Sequence, residues 1–151
     1  MTESVRQFVE FKIGEEEYGI DILQVKTIER MMPITRVPKA PAFVEGVINL
    51  RGEIVPVIDL KKRFDLPLSE ITDDTRIIIV SAEDITMGMI VDSATEVVQL
   101  TSKAIEPAPP ITGSIESDYL EGVGKINEKL LILLNVGKLL KPQEISRLAQ
   151  M

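Results

Sequence analysis

The sequence predicts a mainly β protein, built as two small closed or partly closed barrels with a few short helices. Three observations carry that reading. Apolar and polar residues alternate along several short runs, glycine and proline stand at the corners between runs, and the second half of the chain repeats the pattern of the first.

In the first run Val9, Phe11 and Ile13 share one face, with Glu10 and Lys12 on the other; the turn GEEE then leads into Tyr18, Ile20 and Ile22, again spaced by two. This predicts a β-hairpin. From Asp21 the spacing changes to three, through Ile22, Val25 and Ile28, which predicts a short helical turn capped by Asp21. Pro33, Pro38 and Pro41 break the segment MMPITRVPKAPAF, because the residue before a proline is pushed towards extended backbone. It reads as a connection around one short strand, Ile34 to Val37. Val47 to Leu50 and Ile54 to Ile58 are the arms of a second hairpin about LRGE, with Gly52 supplying turn geometry. Pro56 cannot donate to a ladder, so it predicts an edge strand or a bulge. Asp59 caps a turn of helix through Phe64, and a fully apolar strand runs from Arg76 to Val80.

The same pattern then returns. EGVINLRGEIVPVIDLKKRF, from Glu45, lies without gaps over EGVGKINEKLLILLNVGKLL, from Glu121, which sets Arg51 over Asn127 and Asp59 over Asn135 as helix cap. Gly19, Ile22, Val25 and Ile28 lie over Gly88, Val91, Ala94 and Val97, with an insertion around EPAPPITGSIESD accounting for the change of offset. A duplicated strand-rich unit covering roughly 8–64 and 77–140 follows. The tail KPQEISRLAQM reads as a short amphipathic helix without an assigned role.

Composition removes whole classes of function. A chain of 151 residues supports one domain with a conventional core. Its net charge of −7 argues against nucleic acid, whose affinity comes from lysine and arginine replacing counterions. Cysteine and histidine are both absent, which takes away the commonest transition-metal ligands and the usual general base near neutral pH; no metal and no cofactor is expected. Without histidine the chain cannot be the phosphorylated member of a histidine phosphorelay. The start MTESVRQFVEF lacks the flank and apolar run of a signal peptide, and the longest apolar stretch, Leu130 to Leu134, is strand length, so a cytoplasmic protein with no membrane insertion is expected.

Few motifs carry chemistry. GVGK, Gly122 to Lys125, lacks the glycine spacing and the Ser/Thr of a phosphate loop, and the acidic runs GEEE and DD lack calcium-loop spacing; both read as turns. Val25 and Ile28 should face one way and Lys26 and Thr27 another, either filling a barrel core or forming an apolar edge to a groove. Arg51 sits in a strand–turn–strand connection with five donors in a fixed fork. It is either a polar turn residue or a contact for a carboxylate.

EEYGIDILQVKTIER, VPKAPAFVEGVINLRGEIVPVIDL, MGMIVDSATEVVQL and YLEGVGKINEKLLILLNVGKLL resemble the CheW family of bacterial chemotaxis coupling proteins over nearly the whole chain, the second segment most specifically. The resemblance implies a single CheW-like domain over 1–151, formed as two intertwined five-stranded SH3-like barrels and shared with the regulatory domain of the histidine kinase CheA. It also implies a non-catalytic adaptor, recruited to receptor arrays at the membrane, that couples the cytoplasmic tips of chemoreceptors (methyl-accepting chemotaxis proteins) to CheA and enables receptor control of autophosphorylation. By position, Val25, Thr27 and Ile28 fall at the family's receptor-binding groove, and Gly46 and Arg51 on the glycine and arginine of its central motif. Many members carry glutamate where this chain has Thr27, so Glu29 becomes the nearest acidic partner in sequence for Arg51. No kinase-binding residue is assigned. The rival readings are a fragment of the kinase's regulatory domain, a CheV-like adaptor, and a small-molecule protein using the inter-barrel cleft.

Overall fold

The computed structural model describes residues 4–68, 70–82, 85–107 and 120–139; the C-terminal tail and most of the expected insertion lie outside them. The chain begins with the hairpin β1 (Val5–Ile13) and β2 (Glu16–Asp21), a 3₁₀ turn over Ile22–Gln24, and β3 (Val25–Arg30). A second hairpin, β4 (Val44–Leu50) and β5 (Glu53–Asp59), ends in the short helix α1 (Leu60–Arg63). Then come β6 (Arg76–Ala82), β7 (Ile85–Val91), β8 (Ser93–Thr101) and the two-residue β9 (Ile105–Glu106). The last hairpin is β10 (Leu120–Ile126) and β11 (Lys129–Leu134).

The strands sort into two sheets, and neither sheet is made from one half of the chain. One is ordered β8-β1-β2-β11-β10-β9 and the other β3-β6-β7-β5-β4. The two halves join through parallel pairs: Tyr18 and Gly19 of β2 against Ile132 and Leu133 of β11, and Val57 to Asp59 of β5 against Gly88 to Ile90 of β7. The fold is therefore mainly β and intertwined, with six strands in one sheet where five were expected.

Each sheet buries both faces. Phe8, Leu100, Leu131 and Leu133 fill one barrel, and Ile48, Leu50, Val55, Val57, Ile77 and Ile79 the other. The opposite faces meet in the largest cluster, where Tyr18 stacks on Phe11 at 5.7 Å and on Phe64 at 6.1 Å. Burial on both faces is why RIIIV, and LLILL from Leu131 onwards, are apolar instead of alternating, while Leu130 itself is exposed. The largest cluster packs the faces that the two sheets turn towards each other.

Several local expectations are corrected. Ile34 to Val37 is not a strand; only Thr35 pairs, exchanging two 2.8 Å hydrogen bonds with Val47 of β4. That bridge joins the edge strand β4 to the segment following β3, the other edge strand, and so closes the barrel. Gly46, beside a register shift in β4, makes the closure possible: at φ +149 a Cβ would run into the Thr35 carbonyl. Gly122 of β10 does the same for Glu106 of β9, whose carbonyl would lie 2.6 Å from a Cβ.

Pro56 lies in neither an edge strand nor a bulge of its own strand, since β5 is flanked by β4 and β7. It is tolerated because its partner Val47 spends its N–H and C=O on Thr35 and pairing with β7 begins only at Val57, so no ladder bond needs the missing N–H. Asp59 caps α1 as expected, accepting from the Lys61 amide at 2.9 Å. Asn135 does not: the 3₁₀ turn Val136–Lys138 that it precedes has no side-chain cap.

Candidate partner-binding surface

Asp21 determines how β3 is delivered. One carboxylate oxygen accepts from the Leu23 amide at 2.9 Å and caps the 3₁₀ turn, while the other takes Arg6 of β1 at 2.8 Å. Arg6 also pairs with Glu121 of β10, so the turn is fixed to the neighbouring barrel. The helical turn expected from Asp21 is real but ends at Gln24, and Val25 onwards is strand.

Beyond Gln24 the three-residue spacing has another cause. Val25 lies opposite Val80 of β6 and Thr27 opposite Ile79, so Lys26 is an extra residue, a β-bulge. Ile28 then lies opposite Ile78, on the same face as Val25, whereas Thr27 and Glu29 lie opposite Ile79 and Ile77 on the barrel-interior face. The bulge thus keeps Val25 and Ile28 together three residues apart. The same irregularity recurs in β8, where Ala94 and Glu96 oppose the consecutive residues Phe11 and Glu10.

Val25 and Ile28 are not equivalent. Val25 is half-buried and packs on the cluster between the barrels; Ile28 is 43% exposed. Lys26 reaches across to the Thr86 hydroxyl at 3.0 Å, which ties the bulge to β7. Thr27 holds its Oγ1 buried with no hydrogen-bond partner among the described residues, a cost of roughly 1–3 kcal/mol for a desolvated hydroxyl.

Arg51 occupies the tight turn between β4 and β5 in left-handed backbone, at φ 50, followed by Gly52 at φ 92. Two successive positive φ angles suit the twist of a two-residue hairpin, but a non-glycine residue is strained there. The turn carries the arginine to Glu29: Nη2 donates to Oε1 at 3.3 Å and to Oε2 at 3.4 Å. One nitrogen serves both oxygens, so the guanidinium fork is not closed on the carboxylate. Arg51 is 68% exposed at its side chain and Glu29 only 16%, which leaves the remaining donors facing outwards from a carboxylate held in the barrel mouth.

The structure therefore brings Thr27, Glu29 and Arg51 to one barrel, puts Val25 and Ile28 on the other face of β3, and gives Gly46 a closure role. Sequence reading missed Lys26 as a bulge. Its signal was a spacing of three inside a run that was otherwise extended.

The fold and this strand arrangement can be set against known proteins. The family model described as CheW-like domain matches residues 7–144. The chain belongs to the CheW-like family. Among its curated relatives, the chemotaxis protein CheW of Bacillus subtilis is 41% identical over 134 residues, covering 89% of this chain and 86% of that protein. CheW of Klebsiella aerogenes is 38% identical over 141 residues, covering 93% and 85%. A crystal structure of the scaffolding protein TtCheW from Thermoanaerobacter tengcongensis superposes with a TM-score of 0.87 at 40% identity, covering 93% of this chain and 96% of that one. The family is one of chemotaxis scaffolds, and among the described residues no helix is long and apolar enough to cross a membrane.

Proposed function

We propose that the chain is a non-catalytic adaptor that binds the cytoplasmic tip of a chemoreceptor and the regulatory domain of the histidine kinase CheA together, and is thereby recruited to receptor arrays. Its contribution is geometric: holding two partners at fixed separation makes their contact intramolecular, with effective concentrations that reach the millimolar range for short spans. The observation that carries this reading is β3, an edge strand that exposes Ile28 beside half-buried Val25, with the Glu29–Arg51 pair at its barrel mouth. Membership of a family of chemotaxis scaffolds supports partners within a chemotaxis assembly.

The proposed receptor-docking residues are Val25, Ile28 and Arg51, with Thr27 and Glu29 as positioning groups behind them. Gly46 acts through the barrel wall and not through contact with the receptor. The test is reconstitution of receptor membranes, kinase and this chain, reading kinase autophosphorylation. Ile28→Asp should lose receptor-dependent activation while the kinase still co-purifies with the variant. Full activation by Ile28→Asp would remove β3 from the docking surface.

A further inference from the structure

Arg30 ends β3 and Arg76 begins β6, and the two lie directly opposite each other on the face that carries Ile28 and Ile78. Like charges placed opposite on neighbouring strands repel. Arg76 donates through Nη1 to the Asp73 carbonyl at 2.7 Å and to the Thr75 carbonyl at 2.9 Å, contacts that fix the side chain without neutralising it. Arg30 is exposed, and among the described residues neither guanidinium has a carboxylate within ion-pair distance. An open cleft of about 640 Å³ adjoins the pair, with Met31 and Ile71 as apolar lining and Thr72, Asp73 and Thr75 as polar lining. Two guanidiniums against one acidic lining residue, Asp73, leave a cationic excess at this cleft in a chain of net charge −7.

We propose that Arg30 and Arg76 together receive a carboxylate carried by the protein segment that docks on β3. This rests on the reading of β3 as the docking strand. Two planar guanidiniums with unused donors match a carboxylate, and Met31 and Ile71 suit the hydrocarbon stem of an acidic side chain. The Asp73 carboxylate, which shares the cleft, disfavours a phosphate dianion more than a singly charged carboxylate. The spacing is also suitable: Ile28 and Arg30 are about 7 Å apart along a strand, and one turn of a helix advances roughly 5–6 Å. A partner helix that sets an aliphatic side chain on Ile28 therefore brings an acidic one, a turn away, to the arginines.

The experiment measures binding of a purified cytoplasmic chemoreceptor fragment by calorimetry, with melting temperatures, for wild type, Ile28→Asp, Arg30→Gln and Arg30→Glu. Expected are an approximately tenfold or greater loss for Arg30→Glu, a smaller loss for Arg30→Gln with a flatter salt dependence, and unchanged melting in both. Lysine replacement of one acidic residue of the fragment should restore binding to Arg30→Glu. If Ile28→Asp weakens binding and Arg30→Glu does not, the carboxylate site is overturned and the docking strand stands. If Ile28→Asp binds normally, both are overturned. Inorganic phosphate that displaces the fragment beyond the effect of chloride at equal ionic strength would reassign the site to phosphate and overturn the proposal.

Discussion

At Arg51 two effects act in opposite directions. The left-handed backbone costs a non-glycine residue of the order of 1 kcal/mol, while an ion pair whose arginine is 68% exposed, with 3.3 Å and 3.4 Å contacts, returns little. Arg51→Ala should therefore change stability by less than about 0.5 kcal/mol, and Arg51→Asn, which tolerates φ 50 as Asn127 does at φ 56, should melt at or above wild type. Arg51→Lys separates the roles of the side chain: an ammonium can keep the single-nitrogen contact to Glu29 but cannot replace the outward donors. We expect Arg51→Lys to stay folded and to lose receptor-dependent kinase activation nearly as fully as Arg51→Ala; retained activation would confine Arg51 to positioning Glu29. Tyr18 gives a pH signature. Burial, and next the charge of Glu16, push its phenol from 10.0 up to about 12. The folded state keeps the proton longer than the unfolded chain, so this stabilisation is intact below pH 10 and is lost as pH rises towards 12, by roughly 2–3 kcal/mol. Denaturation midpoints across that window should fall less steeply in Tyr18→Phe than in wild type, and equal slopes would refute the assignment.

For β3, the bulge decides what each substitution measures. Val25 packs on the cluster between the barrels, so Val25→Asp places a charge against core and should lower stability by about 2 kcal/mol or more, confusing any binding result. Ile28 is 43% exposed on the same face, so Ile28→Asp should cost under about 1 kcal/mol and report on docking itself. Melting curves of the two variants side by side check this, and a larger loss for Ile28→Asp would place Ile28 in the core. The existence of the strands was legible because period-two alternation and apolar runs are local signals. A bulge is not local: Val25, Thr27 and Ile28 acquire their faces only from the register against Val80, Ile79 and Ile78, some fifty residues away in sequence. For the same reason the three-residue spacing from Ile22 marks a helical turn only as far as Gln24, beyond which pairing with β6 sets the backbone.

At the scale of the whole molecule, both sheets draw strands from both halves of the chain, and the largest cluster unites residues of both sheets. Unfolding by denaturant should be one transition by every probe. A fragment ending at Asp73 keeps β1 and β2 without β8 and β11, and β3 to β5 without β6 and β7, so it should show no dispersed amide spectrum until mixed with the complementary fragment. A stable, dispersed spectrum from that fragment alone would contradict the strand exchange. The sequence by itself determined the strand-rich class, the two hairpins, the Asp59 cap and the position of Arg51 in a turn, because alternation, capping and turn chemistry act over a few neighbouring residues. Only the tertiary structure decided that Glu29 meets Arg51, that Gly46 admits the Thr35 carbonyl, that Pro56 can sit in an interior strand, and that Arg30 stands against Arg76. Each of those depends on which distant strand supplies the opposite edge, and local preference is nearly silent on that choice.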